Sequence, residues 1–183
     1  MKILVTGANG FVAKNLIQFL AEKPEVEVLK LYRDSTAQQL EHMVLDADWI
    51  VHLAGVNRPQ HDSEFIDGNV SLTESICETL RQNQKQTPII LSSSIQAERD
   101  NVYGKSKLGG EQVLHKLNQQ NGNPIFISRM VNIFGKWSKP NYNSAVATFC
   151  YNIANDLPIQ INDENAAIRL VYIDDVVETI WDI

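Results

Sequence analysis

The sequence predicts a doubly wound α/β fold, a parallel sheet with helices on both faces. Short apolar runs rich in Ile, Val and Leu recur at residues 2–6, 26–32, 49–54, 88–93 and 124–129. They are nearly continuous rather than alternating, which is how strands buried on both faces read. Segments of helical period lie between them, at Asn15 to Glu22, Ala37 to Leu45, Val70 to Gln82 and Tyr103 to Gln119. Strand and helix therefore alternate, the order that builds a parallel sheet by crossovers. The third observation is a glycine turn: the first run ends at Thr6 and passes through Gly7-Ala-Asn-Gly10-Phe-Val-Ala13 into the first helix.

With 183 residues and 44% hydrophobic content, the chain is long enough for one well-formed core. A formal net charge of −6 and a pI near 5.2 disfavour a phosphate-backbone partner, so no nucleic acid is expected. The opening Met-Lys-Ile-Leu-Val-Thr-Gly is broken too soon by glycine for a signal peptide or a membrane span, so a cytoplasmic protein with no membrane partner is expected. Cys77 falls in a helical pattern and Cys150 beside Phe149, with no His or Cys at ligand spacing. Two buried thiols and no metal site are expected.

Only residues 34–48 separate the second strand from the run ending His52-Leu-Ala-Gly55, room for one helix but not for helix, strand and helix. The sheet is expected to have a shortened edge. After Phe134-Gly135 the composition changes to Lys136-Trp-Ser-Lys-Pro-Asn-Tyr-Asn143, followed by a helical segment to Asn155 and strand-like runs at 158–162 and 168–173. Residues 1–135 are therefore expected to bind cofactor and residues 136–183 to begin a substrate-binding subdomain. A fresh helical start at Asp174-Asp175-Val-Val-Glu leads into Ile183 with nothing to cover it. A piece of a longer protein, poorly active alone, is the expectation.

A strand running into Gly7 and Gly10 and then a helix puts backbone N–H groups and a helix N-terminus where a pyrophosphate can sit. Ala13 replaces the third glycine, and a methyl is still small enough for the helix to pack on the strand. At the end of the second strand, where a carboxylate would accept from the ribose of NAD, stands Leu31-Tyr-Arg33-Asp34-Ser35. Arg33 can pair with a 2′-phosphate, so NADP(H) is expected over NAD(H), although Asp34 is adjacent and an arginine after a strand is often only a solvated charge.

Tyr103 and Lys107, four residues apart, share one helix face. A nearby ammonium is expected to stabilise the phenolate and pull its pKa toward neutrality, making the phenol an acid or base. Ser92-Ser-Ser94 lies at the C-terminal end of the preceding strand, where open parallel sheets meet ligands. A hydroxyl there can donate to a carbonyl oxygen as it gains charge. Ser94 is the choice and Ser93 the alternative, because neighbours on a strand face opposite ways. His52, inside a buried strand, reads as structural. Arg129 and Arg169 are candidates for an anionic substrate, with structural ion pairing equally open for Arg129.

Together these residues resemble the extended short-chain dehydrogenase/reductase family, the nucleotide-sugar epimerases, dehydratases and reductases, over essentially the whole chain. Thr6-Gly-x-x-Gly10-Phe resembles its cofactor turn, His52-Leu-Ala-Gly55 its fourth-strand motif, Asn69-Val its next helix start, and Ser94, Tyr103 and Lys107 its catalytic triad. The resemblance implies a Rossmann fold and a cofactor set of Gly7, Asn9, Gly10, Phe11, Val12, Arg33, Leu53, Ala54, Gly55, Tyr103 and Lys107. Arg129-Met-Val-Asn132-Ile-Phe-Gly135 and Arg169-Leu-Val-Tyr-Ile-Asp174-Asp175 resemble the segments that meet substrate, implying Asn132 and Arg169 as contacts. More narrowly, His52-Leu-Ala-Gly-Val-Asn-Arg-Pro59, Leu91-Ser-Ser-Ser-Ile-Gln-Ala97 and Gly135 to Asn143 look like the CapF-type capsular polysaccharide enzymes. Members of that group join an NADPH-dependent reductase to a zinc-binding cupin and act on UDP-linked 2-acetamido-2,6-dideoxy sugars. One departure from the wider family is that only eight residues separate Ser94 from Tyr103.

The resemblance implies a nucleotide-sugar 4-ketoreductase in capsule or O-antigen biosynthesis, with NADPH as hydride donor, a UDP-sugar substrate and a homodimer in the full-length protein. The alternatives are a 4-epimerase with retained NAD(P) and a non-catalytic NADP-binding regulator. Ile95-Gln96 stand where a dehydratase would carry acidic residues, so dehydration is not expected.

Overall fold

The computed structural model describes every residue except Arg58, Gln60, Asp62 and Asn162, together with all side chains but those of these four, Ser63 and Asp67. Five parallel strands form the main sheet: β1 (Lys2–Thr6), β2 (Glu27–Leu31), β3 (Trp49–His52), β4 (Ile89–Ser94) and β5 (Ile125–Met130). Their order is β2-β1-β3-β4-β5. The chain moves outward from β1 to β2, then returns to the other side of β1 for β3. That reversal opens a crevice beyond the C-terminal ends of β1 and β3, where ligands of such sheets bind. β2 is the edge on that side, with no strand beyond it, so the sheet is shortened there as the sequence predicts.

Alternation along the strands explains why both faces are dry. Leu4, Ile50, Ile89 and Leu91 point to one side and pack with Val44, Ile76, Leu80, Leu114 and Leu117. Those partners come from α2 (Ala37–Asp46), α4 (Leu72–Gln82) and α5 (Val102–Asn121). Ile3, Val5, Val51 and Ile90 point to the other side. There they meet Ala13, Leu16 and Leu20 of α1 (Phe11–Leu20) and Ile173, Val176, Val177 and Ile180 of α7 (Ile173–Trp181).

Helix starts follow local chemistry. Thr36 and Gln39 form a reciprocal capping box that opens α2. The Asn101 side chain accepts from the Gly104 N–H at 2.7 Å and opens α5. Before α4 the chain is already helical, through α3 (Ser63–Ile66) and a π-helical turn over Asp67–Ser71. A second small sheet pairs β6 (Asn132–Phe134) with β7 (Leu170–Tyr172), and α6 (Ala145–Ala154) lies between them in sequence.

Three expectations are corrected. The run at 158–162 is not a strand over its described part: residues 158–161 are irregular, with Ile159 and Ile161 exposed, while Asn162 lies outside the described residues. The helix opened by Asp174 is not uncovered, because α7 completes the layer that α1 begins, with Trp181 edge-on to Phe19 at 5.9 Å. Cys77 is buried as expected, whereas Cys150 is exposed. Among the described residues no helix is long and apolar enough to cross a membrane.

The packing of α7 makes a prediction. Ile173 is fully buried between β-strand and helix partners, so Ile173→Ala should lower unfolding free energy by about 2–4 kcal/mol in urea titration with an unchanged m value. A loss under about 0.5 kcal/mol would mean that α7 is not part of the core.

Candidate active site

The sheet's switch point opens into a cavity of about 1640 Å³. That exceeds what one small ligand fills, and suits two ligands lying end to end. Gly7, Asn9, Gly10, Phe11, Val12, Leu53, Gly55, Ser94, Tyr103, Lys107 and Asn132 all line it.

At one end stands the glycine turn. Gly7 has φ +65°, and a Cβ there would lie 2.8 Å from the Ala54 Cα, so only glycine lets the β1 turn pass under the β3 loop. The Gly10 N–H donates to the Gly7 carbonyl at 2.7 Å, which tightens the turn. Helix α1 then begins with no side-chain cap and no acidic residue in its first turn. Its N–H groups and positive dipole end are left for an anion from outside the chain, so these residues fit a dinucleotide pyrophosphate.

A buried hydrogen-bond chain fixes this turn to the next two elements. The Thr6 Oγ1 accepts from the N–H groups of Leu53 at 3.1 Å and Ala54 at 3.0 Å. Its own proton is then free to go to His52 Nδ1, 2.7 Å away. Thr73 donates to the Asn69 carbonyl at 3.0 Å, so its oxygen must accept from His52 Nε2–H at 2.9 Å. Counting protons thus assigns a neutral imidazole protonated on Nε2. Burial, with the Lys107 charge as a second cause, pushes its pKa down to about 3. His52 is structural, as its sequence context predicts.

The same network reaches the tyrosine. The Asn69 Oδ1 accepts from the Val56 N–H, and its Nδ2 donates to the Val56 carbonyl and to Ser106 Oγ. Ser106 in turn donates to the Tyr103 carbonyl at 2.7 Å. The Phe65 ring lies 5.6 Å from the Tyr103 ring and covers it. Only a 3-10 turn (Ile95–Glu98) and a short link join β4 to α5, which is how eight residues suffice between Ser94 and Tyr103. Gly104 allows this, since a Cβ there would overlap the Gln96 and Arg99 carbonyl oxygens.

The serines separate cleanly. Ser93 donates to the buried Glu111 carboxylate at 2.5 Å and is occupied on the helix side. Ser94 Oγ accepts from the Gln96 N–H at 3.2 Å, and its hydroxyl bonds to the Tyr103 phenol. With a donor filling its oxygen, Ser94 has its own proton to give. Ser94, Tyr103 and Lys107 are therefore brought together.

The electrostatics differ from expectation. Burial raises the Tyr103 phenol above its ordinary pKa, opposed by the Ser94 bond, and Lys107 does not pull it down. The reason is where the lysine points: Lys107 Nζ donates to the Ser92 carbonyl at 3.2 Å and stands 6.0 Å from the phenol ring centre. Burial pushes Lys107 itself down to about 8, with Glu111 opposing.

Arginines and outlying residues divide as follows. Arg129 pairs with the buried Glu111 at 2.9 and 2.7 Å and with Glu98 at 2.8 Å, holding β5 to α5, so it is not a substrate candidate. Arg33 is exposed two residues past β2, whose Leu31 carbonyl accepts from the Ala8 N–H of the glycine turn. It does not line the cavity. Nor does Ala54, which packs under Gly7. Arg169 is exposed outside the lining, but its carbonyl accepts from Asn132 Nδ2 at 3.3 Å across β6 and β7. Of the 52–59 stretch, Arg58 lies outside the described residues. Among the described residues no three His, Cys, Asp or Glu side chains cluster to hold a metal ion. Sequence reasoning missed Phe65, Thr73, Ser106 and the Trp137 to Ser144 wall of the cavity. Only the wall had a signal, in its change of composition.

Holding Lys107 charged in a buried place costs stability below pH about 8, and the cost fades as pH rises from there toward the ordinary lysine value of 10.5. Lys107→Met should therefore stabilise the protein at pH 7 by on the order of 1–3 kcal/mol in denaturant titration, with the gain shrinking by pH 10. A loss at pH 7, or a gain independent of pH, would contradict this placement.

The chain resembles known proteins of this architecture. It is 54% identical over 179 residues to a Pseudomonas aeruginosa protein named UDP-2-acetamido-2,6-beta-L-arabino-hexul-4-ose reductase, covering 98% of this chain and 48% of that one. It superposes on the crystal structure of the capsular polysaccharide assembling protein CapF from Staphylococcus aureus with a TM-score of 0.87 and 50% identity, over 99% of this chain and 49% of that one. The chain spans about half the length of these two relatives. A UDP-glucuronic acid 4-epimerase from Bacillus cereus, solved in complex with NAD, shares the fold at a TM-score of 0.87 and 21% identity, over 99% of this chain and 73% of that one. The family model of NAD dependent epimerases and dehydratases matches residues 3–183, and the chain belongs to that family.

Proposed function

We propose that the protein is a nucleotide-sugar 4-ketoreductase that uses NADPH and takes a UDP-2-acetamido-2,6-dideoxy-hexos-4-ulose. The observation that carries this reading is the meeting of Ser94, Tyr103 and Lys107 in a cavity that also holds the glycine turn. The name of the 54% identical Pseudomonas relative supports the substrate class.

Bound nicotinamide would supply a hydride to C4 of the sugar. The chain's own part is to bind, to orient and to deliver one proton. Ser94, with its oxygen already accepting from Gln96, donates to the C4 carbonyl oxygen and polarises it. Tyr103 gives its proton to that oxygen as charge develops there. A raised phenol pKa suits this direction, because the group is fully protonated at neutral pH before reaction. Lys107, on the same helix face, is the cation available to the phenolate once its ammonium turns from the Ser92 carbonyl toward the phenol. Gln96 at the cavity offers no carboxylate for elimination, which argues against dehydration.

Asn132 and Arg169 are the proposed substrate contacts. Residues 1–135 form the cofactor-binding part in this reading, and residues 136–183 begin the substrate-binding part even though α7 packs back on the first. Arg33, beyond the β2 end and next to the glycine turn, is the proposed partner of the 2′-phosphate.

Tyr103→Phe should lower kcat for NADPH oxidation by the UDP-4-keto sugar about 10²- to 10⁴-fold and leave NADPH affinity within twofold. Unchanged turnover would overturn the mechanism. Arg33→Ala should weaken NADPH about tenfold and NADH little, by fluorescence titration. Equal losses for both would remove the proposed preference.

A further inference from the structure

Past Leu91, β4 has left β3 behind and pairs with β5 alone, Ser92 beside Ser128, Ser93 beside Arg129 and Ser94 beside Met130. The strand end that carries Ser94 is therefore an overhang with one neighbour. Two-stranded stretches twist more than the middle of a sheet, yet polarising a carbonyl needs a hydroxyl held to within about 0.5 Å. A side-chain brace supplies the support that the second neighbour would have given.

The brace is built on Glu111, 3% exposed, which lies behind β4 against Ser93, 4% exposed. Its Oε1 accepts from Ser93 Oγ at 2.5 Å and from Arg129 Nε at 2.9 Å, and its Oε2 from Arg129 Nη2 at 2.7 Å. Arg129 Nη1 donates onward at 2.8 Å to Glu98, the last residue of the 3-10 turn whose Gln96 N–H occupies Ser94 Oγ. Strand end, turn and α5 thus meet at one carboxylate.

Burial works against that charge, but the Arg129 and Ser93 bonds outweigh it and hold the Glu111 carboxyl below its usual range. An ionised carboxylate only accepts, so the Ser93 proton points back at α5. With Ser93 turned to the helix, alternation along β4 turns Ser94 the other way, where its hydroxyl meets the Tyr103 phenol. Tyr103, Lys107 and Glu111 follow at i, i+4 and i+8 on α5, so the helix that carries the proton donor also carries the brace. A buried ion pair is seldom worth more to stability than apolar side chains of its size, so this one suits the fixing of position.

We propose that Glu111 is a positioning residue for the reduction: by holding Ser93 it sets the end of β4 so that the Ser94 hydroxyl meets both the Tyr103 phenol and the C4 carbonyl. Arg129 holds the carboxylate in turn. The inference rests on the 4-ketoreductase reading above.

Steady-state kinetics with NADPH and the UDP-4-keto sugar test it. Ser93→Ala removes the bond and Glu111→Leu its acceptor, and each should lower kcat about 10- to 100-fold with KM for NADPH within twofold of wild type. The double variant should fall no further than the lower single, because both changes cut one bond. Glu111→Gln keeps an oxygen for Ser93 and should stay within about threefold of wild type; a loss as large as that of Glu111→Leu would overturn the holding of Ser93 as its means. Should Glu111→Leu not fold, Ser93→Ala set against Glu111→Gln decides alone. Ultraviolet titration of tyrosinate, with Tyr103→Phe as the blank, reads the same placement without substrate. The Ser94 bond opposes the rise that burial gives the phenol, so the Tyr103 ionisation should move further up in Ser93→Ala, as it should in Ser94→Ala. Wild-type kcat in Ser93→Ala with an unmoved phenol would overturn the proposal. A moved phenol in a protein that does not reduce the sugar would uphold the brace and overturn the ketoreductase reading instead.

Discussion

The imidazole of His52 joins the two loops that make the site to the helices behind them. One ring nitrogen takes the proton of Thr6, which gathers the N–H groups of Leu53 and Ala54, and the other gives its proton to Thr73. Thr73 leads to Asn69, Asn69 to Ser106, and Ser106 to the Tyr103 backbone. Every donor in this buried chain has an acceptor, and a half-satisfied version would be costly. The glycine turn and the tyrosine therefore share one frame. A neutral imidazole is essential to it, because a second ring proton would have no acceptor at Thr6.

Around that frame the sheet's two dry faces set the depth of the crevice. Layers of helix on both sides, α7 among them, leave the strand ends as the place where backbone and polar side chains can meet a ligand. The site's groups are held against their solvation preferences. Lys107 is buried and its pKa lowered, and Tyr103 keeps its proton more firmly than in water. Such a pair, one cation held at a cost and one acid keeping its proton, is what the proposed proton transfer would draw on.

Much of this was legible in the sequence, for identifiable reasons. The buried strands announced themselves because burial on both faces demands continuous Ile, Val and Leu. Tyr103 and Lys107 were legible because helical spacing alone sets their shared face. The choice between Ser93 and Ser94 was not, since alternation gives opposite faces without saying which is which. Glu111, seventeen residues beyond Ser94 in the chain, decides it by holding Ser93. The run at 158–162 misled because Ile159 and Ile161 alternate like a half-buried strand, while a strand also needs a neighbour to bond. The tyrosine's pKa was misjudged because spacing shows that Lys107 is near, not that its ammonium turns to the Ser92 carbonyl.

The central claim is that one hydride and one proton are added across the C4 carbonyl of a nucleotide-linked sugar, with Tyr103 as the proton donor. NADPH carrying deuterium at the transferring C4 position, incubated with the protein and a UDP-4-keto-2-acetamido-2,6-dideoxy sugar, tests it by proton NMR of the product. The account predicts deuterium at sugar C4 with one NADP⁺ released for each alcohol formed. A product without deuterium at C4, or formed with no net oxidation of NADPH, would contradict it.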